Sequence, residues 1–224
     1  MLSVLSAGFA PSLAILSYFY LKDEYDTEPI FQVFRVFILG AVLVFPIMFI
    51  QYILQVEQLI HHIFIDAFIT GLLEEFAKWF FLMFSVYSLV HFDEPYDGIV
   101  YGVSLSLGFA TLENILYLLS NGIHLAIGRA FFPVSSHAMF GVIMGYYIGK
   151  GKFISNKKKK VRLICMALFI PVVLHSLYDF ILMSFTNWHY YLIPFMLVLW
   201  WVGLKKAKKA KTYYNLSQKI QRVS

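Results

Sequence analysis

Ionisable side chains recur inside long apolar stretches of this sequence. Glu74, Glu75 and Lys78 fall within GLLEEFAKWFF, and His175 and Asp179 fall within the later apolar stretch that contains HSLYD. If these stretches span a membrane, each ionisable group near a helix centre costs about 2.5 to 3.5 kcal/mol on insertion scales. We therefore expect these groups to face one another or a hydrated cavity rather than lipid.

Two further apolar stretches add Glu113 with Asn114, in FATLEN, and His137, in SSHAMFG. Adjacent carboxylates near imidazoles suit the activation of water, because a carboxylate in a low-dielectric site can act as a general base. The same glutamates and histidines could instead hold Zn²⁺, which makes bound water a nucleophile at neutral pH. The HExxH zinc motif is absent from the sequence. Both interpretations predict hydrolysis, with Ser, Asn or His side chains as donors to an oxyanion.

The spacing of these residues predicts how they divide between helix faces. Glu74 and Lys78 are four residues apart, so we expect them to form an ion pair. Glu75 would then lie about 100° round the helix and point into a cavity. His175 and Asp179 have the same spacing of four, and the carboxylate would orient the imidazole.

The composition excludes a soluble domain: 60% of the 224 residues are apolar and 14% are charged, and the mean hydropathy is +0.71. The net charge of +5 arises from short Lys and Arg runs beside apolar segments, where lipid headgroups, not nucleic acid, are the nearer partner. The one cysteine, Cys165, excludes a disulfide framework. We expect a single integral-membrane domain over 1–224, with core helices at about 65–184 and a basic cytoplasmic tail at 205–224.

Hydropathy predicts an all-α polytopic membrane protein with about seven transmembrane helices. The predicted spans are 2–21, 30–54, 65–90, 97–119, 125–149, 162–184 and 188–204. No basic region precedes the first, so we expect it to be a retained span. Two spans separate the basic runs Lys157 to Lys160 and Lys205 to Lys211, so both runs lie on one side, which the positive-inside rule assigns to the cytoplasm. The N-terminus is then outside and the C-terminus is cytoplasmic.

The candidate residues lie at similar predicted depths in the membrane. At about 1.5 Å of rise per residue, Glu74 and Glu75 are roughly 14 Å below the outer boundary, Glu113 about 10 Å, His137 about 17 Å and His175 about 15 Å. Four helices therefore present carboxylates and imidazoles in one layer toward the outer side of the membrane.

Glycine and proline positions predict local features of the spans. Gly141, Gly145 and Gly149 recur every four residues, which is typical of a helix that another helix approaches closely. Pro133 and Pro171 each precede a histidine by four positions, where a kink would make room for water.

Charged residues outside the proposed layer have simpler interpretations. We expect Arg129 to extend toward the outer interface. We expect Asp93, Glu94 and Asp97 to be solvated residues of a cytoplasmic turn.

The motifs EEFAK, FATLE, SSHAMFG and HSLYD, in this order, resemble those of the PrsW intramembrane proteases, in particular the Bacillus-type members. The likeness extends to SYFYLKDEYDTEP, HFDEPYDGIVYG and LGFATLENILYL, and so covers nearly the whole chain. The family belongs to a wider group with the CAAX prenyl proteases and bacteriocin-immunity proteins. Lys78 and Glu113 depart from the pattern of that group, which has EExxxR and a histidine in place of the glutamate. This departure weakens the inference from the wider group to a prenylated substrate.

The resemblance implies an intramembrane endopeptidase that makes the first, extracytoplasmic-side cut in a single-span anti-sigma factor of the RsiW type. A downstream site-2 protease then acts on the product, and the sigma factor is released under envelope stress. The implied location is the lipid bilayer of a bacterial cell membrane, with several membrane passes.

The resemblance also implies roles for the matched residues. Glu74 and Glu75 activate water, and Lys78 neutralises Glu74. His175, with Glu113 and His137, assists in acid–base chemistry or metal binding, and Asp179 orients His175. The implied catalytic residues are Glu74, Glu75, His175, Glu113, His137 and Asp179. The implied supporting residues are Lys78, Phe109 and Asn114. If the enzyme uses a metal, zinc is the candidate, with the possible ligands Glu75, Glu113, His137 and His175.

Two other functions are compatible with the ionisable residues. The first is a proton-coupled transporter or channel, in which the buried acids and imidazoles form a relay. The second is a non-catalytic membrane scaffold. The sequence has no internal repeat and no acidic row through the inner half of the membrane, which argues against the transporter.

Overall fold

A computed structural model describes residues 1–23, 27–57 and 61–223, with side chains as far as Thr212. Over these residues the chain is helical, without strands. The α-helices are α1 (Leu2–Leu21), α2 (Ile30–Val56), α3 (Ile63–Phe81), α4 (Asp97–Asn121), α5 (Ala126–Arg129), α6 (Ser135–Lys152), α7 (Lys157–Ser184) and α8 (His189–Val223). Counting α5 and α6 as one interrupted helix, the described residues contain seven long helices at the seven predicted positions.

Five helical segments of the described chain are long and apolar enough to cross a membrane: Leu2–Leu21, Ile30–Val56, Asp97–Asn121, Ile123–Lys152 and Lys157–Ser184. Helix α3 is not among them, and its 19 residues include Asp66, Glu74, Glu75 and Lys78. Helix α8 is not among them either, and its second half carries the basic run. The all-α membrane class is therefore confirmed.

Helix α4 lies at the centre of the bundle, packed against α1, α2 and α6, while α7 packs against α3 and α6. Glycines make the α4–α6 contact close, as predicted. A methyl group built on Gly145 would lie 1.9 Å from the carbonyl oxygen of Gly98, and one built on Gly141 would lie 2.5 Å from that of Gly102. Such separations exclude any side chain, so backbone packs on backbone.

Two predicted boundaries differ from the structure by more than five residues. The third span was predicted to continue to residue 90, but α3 ends at Phe81 and a π-helical turn, Leu82–Val86, follows it. The last span was predicted to end at 204, but α8 continues to Val223. Alanine and lysine are strong helix formers, so the basic segment extends the helix.

The two prolines behave differently. Pro133 lies in a second π-helical turn, Ala130–Val134, one turn before His137, so the helix is locally widened there. Pro171 lies within α7, which is assigned as one continuous α-helix. The expected irregularity of the helix is therefore observed near His137, after Pro133, and is not observed near His175, after Pro171.

The turn before α4 was predicted to be solvated, and for two of its three acids this is wrong. Glu94 and Asp97 are buried, whereas Asp93 is exposed as expected. The Asp97 Oδ2 accepts hydrogen bonds from the backbone N–H groups of Asp93 at 2.9 Å and Glu94 at 2.7 Å. These bonds fold the turn back over the start of α4, which removes the carboxylate from solvent.

Candidate active site

Helix α3 places two carboxylates and one ammonium in contact. The Lys78 Nζ is 2.7 Å from the Glu75 Oε1 and 3.4 Å from the Glu74 Oε2. Residues three and four apart on a helix are neighbours, so one lysine reaches both glutamates. The predicted pair between Glu74 and Lys78 is confirmed, but it is the longer of the two contacts.

The expectation that Glu75 is the carboxylate free to face a cavity is wrong. Its side chain is fully buried, with the Oε1 bonded to Lys78 and to the His175 Nδ1 at 2.9 Å. Glu74 instead lines a cavity and accepts a hydrogen bond from the Gln51 Nε2 of α2 at 3.3 Å. The rotation of α3 about its axis determines which glutamate contacts α7 and which one lines the cavity. The spacing of the residues in the sequence does not specify this rotation.

Helix α6 brings His137 between α3 and α4. Its Nδ1 is 3.1 Å from the Lys78 Nζ and its Nε2 is 3.1 Å from the Glu113 Oε2. Because a charged ammonium only donates hydrogen bonds, the Nδ1 accepts and the Nε2 carries the proton that is donated to Glu113. The Lys78 Nζ also lies 4.3 Å from the ring centre of Phe109, so this predicted supporting residue covers the ammonium.

The expectation that Arg129 extends to the interface is wrong. Its Nη2 bonds the Glu113 Oε1 at 2.9 Å and its Nε bonds the Asn114 Oδ1 at 2.8 Å. The guanidinium also lies 3.9 Å from the ring centre of Tyr117. The short helix α5 turns the chain back over α4. The Arg129 side chain therefore contacts the Glu113 carboxylate instead of extending to the membrane interface.

Helix α7 contributes His175. Its Nε2 is 3.5 Å from the Asp179 Oδ2, in the predicted arrangement, and 3.9 Å from the Glu74 Oε2. The ring of Phe140 stacks on His175 at a centroid distance of 5.1 Å, and the His137 ring lies perpendicular to it at the same distance. The two imidazoles are therefore held at fixed orientations beside the two glutamates.

These side chains surround a cavity of about 430 Å³. Five of the six predicted catalytic residues line it, together with Gln51, Thr70, Arg129 and Tyr178; the five are Glu74, Glu113, His137, His175 and Asp179. Glu75 and Lys78 lie behind this lining. The cavity therefore combines an apolar enclosure with several convergent polar groups, as binding sites do.

Four residues form a buried group of metal-type donors: Glu74, Glu75, His137 and His175. Each offers one ligand atom, and these atoms lie within 4.8 Å of one another. The predicted ligand set included Glu113 and omitted Glu74, and the structure does not support that choice. The Glu113 carboxylate is engaged by Arg129 and His137, on the far side of the imidazole.

The charges and hydrogen bonds of the site fit a divalent cation. The site holds two cationic groups, the Lys78 ammonium and the Arg129 guanidinium, and four carboxylates, those of Glu74, Glu75, Glu113 and Asp179. With neutral imidazoles its formal charge is therefore negative by two. The buried Glu75 Oε2 has no hydrogen-bond partner. Carboxylate and imidazole donors are those that catalytic zinc uses. The residues therefore fit a metal in type, burial and charge.

Sequence reasoning missed three residues of the site. Gln51 is a polar residue in an apolar span and could have been recognised by that contrast. Arg129 was noticed but assigned to the interface. Phe140 gives no signal in a sequence this rich in phenylalanine, because its role depends on stacking against His175.

A bundle of membrane-type helices that encloses carboxylates, imidazoles and a polar cavity defines an intramembrane hydrolase. The model of a family described as "PrsW family intramembrane metalloprotease" matches residues 28–203. The chain belongs to this PrsW family, and it is an intramembrane protease. Family membership supports the hydrolytic interpretation over the transporter and the scaffold.

Relatives from several bacteria support the assignment over almost the whole chain. Protease PrsW of Bacillus subtilis is 58% identical over 213 residues, which cover 95% of this chain and 97% of the relative. Protease PrsW of Geobacillus kaustophilus is 55% identical, covering 95% and 94%. Protease PrsW of Clostridioides difficile is 38% identical, covering 89% and 86%. No solved structure matches this chain.

Proposed function

We propose that this protease makes the first, extracytoplasmic-side cut in a single-span membrane anti-sigma factor, which leads to release of a sigma factor under envelope stress. The observation that carries the proposal is the buried group of Glu74, Glu75, His137 and His175 beside a polar cavity. A downstream intramembrane site-2 protease acts on the product.

The proposed arrangement is one domain over 1–224 in a bacterial plasma membrane, with seven crossings, the N-terminus outside and the C-terminus in the cytoplasm. The lysines that begin α7 and those in the second half of α8 support this orientation. In this arrangement the polar layer lies toward the outer side of the membrane. That position suits a cut near the outer end of a span, where the last turn of a helix has unsatisfied backbone groups.

Glu75, His137 and His175 would hold the metal, with the His137 Nδ1 binding it in place of the contact with Lys78, and zinc is the proposed ion. When bound, such a metal polarises the scissile carbonyl and acidifies a water molecule. Glu74 is the general base, because it is the glutamate that lines the cavity and can reach a water there. It accepts the proton of the attacking water and returns it to the leaving amine. Gln51 holds this carboxylate through its hydrogen bond.

The remaining polar residues position these groups. Glu113, held by Arg129, accepts a hydrogen bond from His137 and so fixes its tautomer and ring plane. The Asp179 carboxylate, 3.5 Å from the His175 Nε2, orients that imidazole through its charge. Lys78 balances the charge of both glutamates during proton transfer.

The proposed activity is tested by co-expressing a single-span anti-sigma factor with each variant and following its cleavage in membranes. Glu75→Ala and His175→Ala should each abolish cleavage while the enzyme stays in the membrane. Asp66→Asn and His124→Ala are the controls, because these residues lie on the same helix as Glu75 or in an exposed turn but outside the cavity lining. Retained cleavage in both site variants would overturn the proposal.

Metal use is tested on the purified protein. We expect about one zinc per chain by elemental analysis, inhibition by a chelator and recovery on adding zinc. The His137→Ala/His175→Ala double variant should lose the metal, and His124→Ala should keep it. A metal-free enzyme that cleaves at the normal rate would exclude this mechanism but leave the carboxylates as the catalysts.

A further inference from the structure

An open groove lies between α1, α6 and α8. Helix α1 packs on α4 while α8 packs on α6, so a cavity of about 490 Å³ is left between them. Its lining is almost entirely apolar and includes Ala14, Ile15, Phe131, Met139 and Trp200. None of the proposed catalytic residues lines this cavity.

The apolar groove continues into a cationic cavity of about 390 Å³. The two cavities share Tyr18, Phe19 and Leu204 in their linings. The second cavity adds three lysines, Lys22 from the turn after α1 and two from the basic part of α8, Lys208 and Lys211. No acidic residue of the described chain lines either cavity.

Tyr18 orients one of these lysines at the junction. The Lys22 Nζ donates a hydrogen bond to the Tyr18 hydroxyl and lies 4.2 Å from the centre of its ring. Lys22 and Lys208 are both exposed. Their ammonium groups are therefore accessible to a ligand at the end of the groove.

We propose that this groove binds one anionic phospholipid, with an acyl chain in the apolar cavity and the phosphate at the Lys22 and Lys208 ammonium groups. Under the orientation proposed above, this lipid belongs to the cytoplasmic leaflet. An ammonium is a compact point charge that binds phosphate well, and each lysine near a membrane surface contributes to the attraction of anionic lipid.

The charge distribution selects a lipid over a substrate helix. A single-span protein carries its own Lys and Arg residues at the cytoplasmic end of its helix. Those residues would meet Lys22, Lys208 and Lys211, and like charges repel. An anionic headgroup in the same place is attracted, and its chain fills the apolar part.

The proposal is tested by native mass spectrometry of the delipidated full-length protein titrated with phosphatidylglycerol or phosphatidylcholine. We expect the protein to retain phosphatidylglycerol preferentially. The Lys22→Gln/Lys208→Gln variant should bind it roughly thirtyfold more weakly, from two lost lysines, with little change for phosphatidylcholine. The Ala14→Trp variant should lose affinity for both lipids, because the indole occupies the apolar cavity.

Matched controls separate the groove from general surface charge. Lys157→Gln/Lys158→Gln removes the same charge from exposed residues at the start of α7, and Leu13→Trp adds an indole beside Ala14 at a position outside the lining. Both controls should bind lipid like the parent protein. Thermal unfolding of each variant shows whether it is folded.

Three results would overturn the lipid site: unchanged binding in the Lys22/Lys208 variant, an equal loss in the Lys157/Lys158 control, or unchanged binding in Ala14→Trp. Displacement of the lipid by an equal concentration of soluble glycerol phosphate would also overturn it, because the apolar cavity would then contribute nothing. The assay measures no cleavage, so failure of the protease proposal does not affect it.

Discussion

Lys78 contacts three groups of the site and its side chain is fully buried. Its Nζ lies 2.7 Å from Glu75, 3.1 Å from His137 and 3.4 Å from Glu74. Removing one partner of a buried pair leaves the other charge unpaired, and the remaining charge causes most of the loss in stability. Adjacent glutamates of unequal burial should therefore respond differently to the same substitution.

Glu75→Gln should destabilise the protein by about 3–5 kcal/mol, because it removes the close partner of Lys78 in a fully buried place. Glu74→Gln should destabilise it less and should lower the cleavage rate by roughly 10²- to 10⁴-fold, as expected on losing a general base. Thermal unfolding in detergent and cleavage of the anti-sigma factor measure the two effects. Equal stability of the two variants would contradict this assignment.

Arg129 and Glu113 form an ion pair, which can be tested by neutralising each residue alone and both together. Each single substitution, Arg129→Gln and Glu113→Gln, should lower stability, and the double variant should lose less than the two losses combined. The coupling should be about 0.5–3 kcal/mol, which is typical of contacting charges. Arg162→Gln, at an exposed position on α7, serves as the control and should show no coupling to Glu113→Gln. Strictly additive losses for the first pair would disprove the contact.

At the scale of helices, the close approach of α4 and α6 determines how far His137 is from Glu113. Gly98 and Gly102 on α4 face Gly145 and Gly141 on α6, and a Cβ at any of the four would meet backbone atoms. Closely packed protein interiors have little free volume. A methyl group added at one of these glycines can therefore be accommodated only if one helix moves away from the other. Packing far from the cavity therefore controls the geometry inside it.

Gly145→Ala should destabilise the protein by about 1–3 kcal/mol and lower the cleavage rate, because overpacking separates α4 from α6 and misplaces His137. Gly128→Ala is the matched control, since a Cβ there meets nothing within 4 Å. The control should be neutral or stabilising by up to about 1 kcal/mol, because alanine is the better helix former. Thermal unfolding and cleavage measure both variants. Similar losses in the two would contradict the packing argument.

At the scale of the whole molecule, the lysines would place one end of the bundle against anionic headgroups in the proposed orientation. The start of α7 and the second half of α8 are basic and would lie on the same side. The proposed lipid groove ends at this side, and the proposed cleavage occurs toward the other side. The two proposals thus assign different functions to the two sides of the membrane.

The orientation is tested with single cysteines in a Cys165→Ser background. Thr186→Cys, between α7 and α8, should react with a membrane-impermeant maleimide in intact cells. Ser155→Cys, between α6 and α7, should react only after the membrane is permeabilised. Both positions are exposed, so access depends on the side of the membrane alone. The reverse pattern would invert the proposed topology.

The sequence by itself determined the class of fold, the positions of the helices and most of the candidate site. Hydropathy is a local property, so the seven helices follow from it within a few residues at most ends. Buried charge in apolar stretches is costly, which is why Glu74, Glu75, Glu113, His137 and His175 could be recognised and expected to converge. The four-residue spacing of glycines likewise predicted a close helix contact.

Only the tertiary structure decided which side chain faces which. Each helix can rotate about its own axis without any change in local pattern, and contacts from α2, α6 and α7 select the rotation. These contacts buried Glu75, turned Glu74 to the cavity and added Gln51. They also paired Arg129 with Glu113, because α5 returns the chain over α4. Hydropathy thus specified which helices carry the polar residues, and helix packing specified their partners.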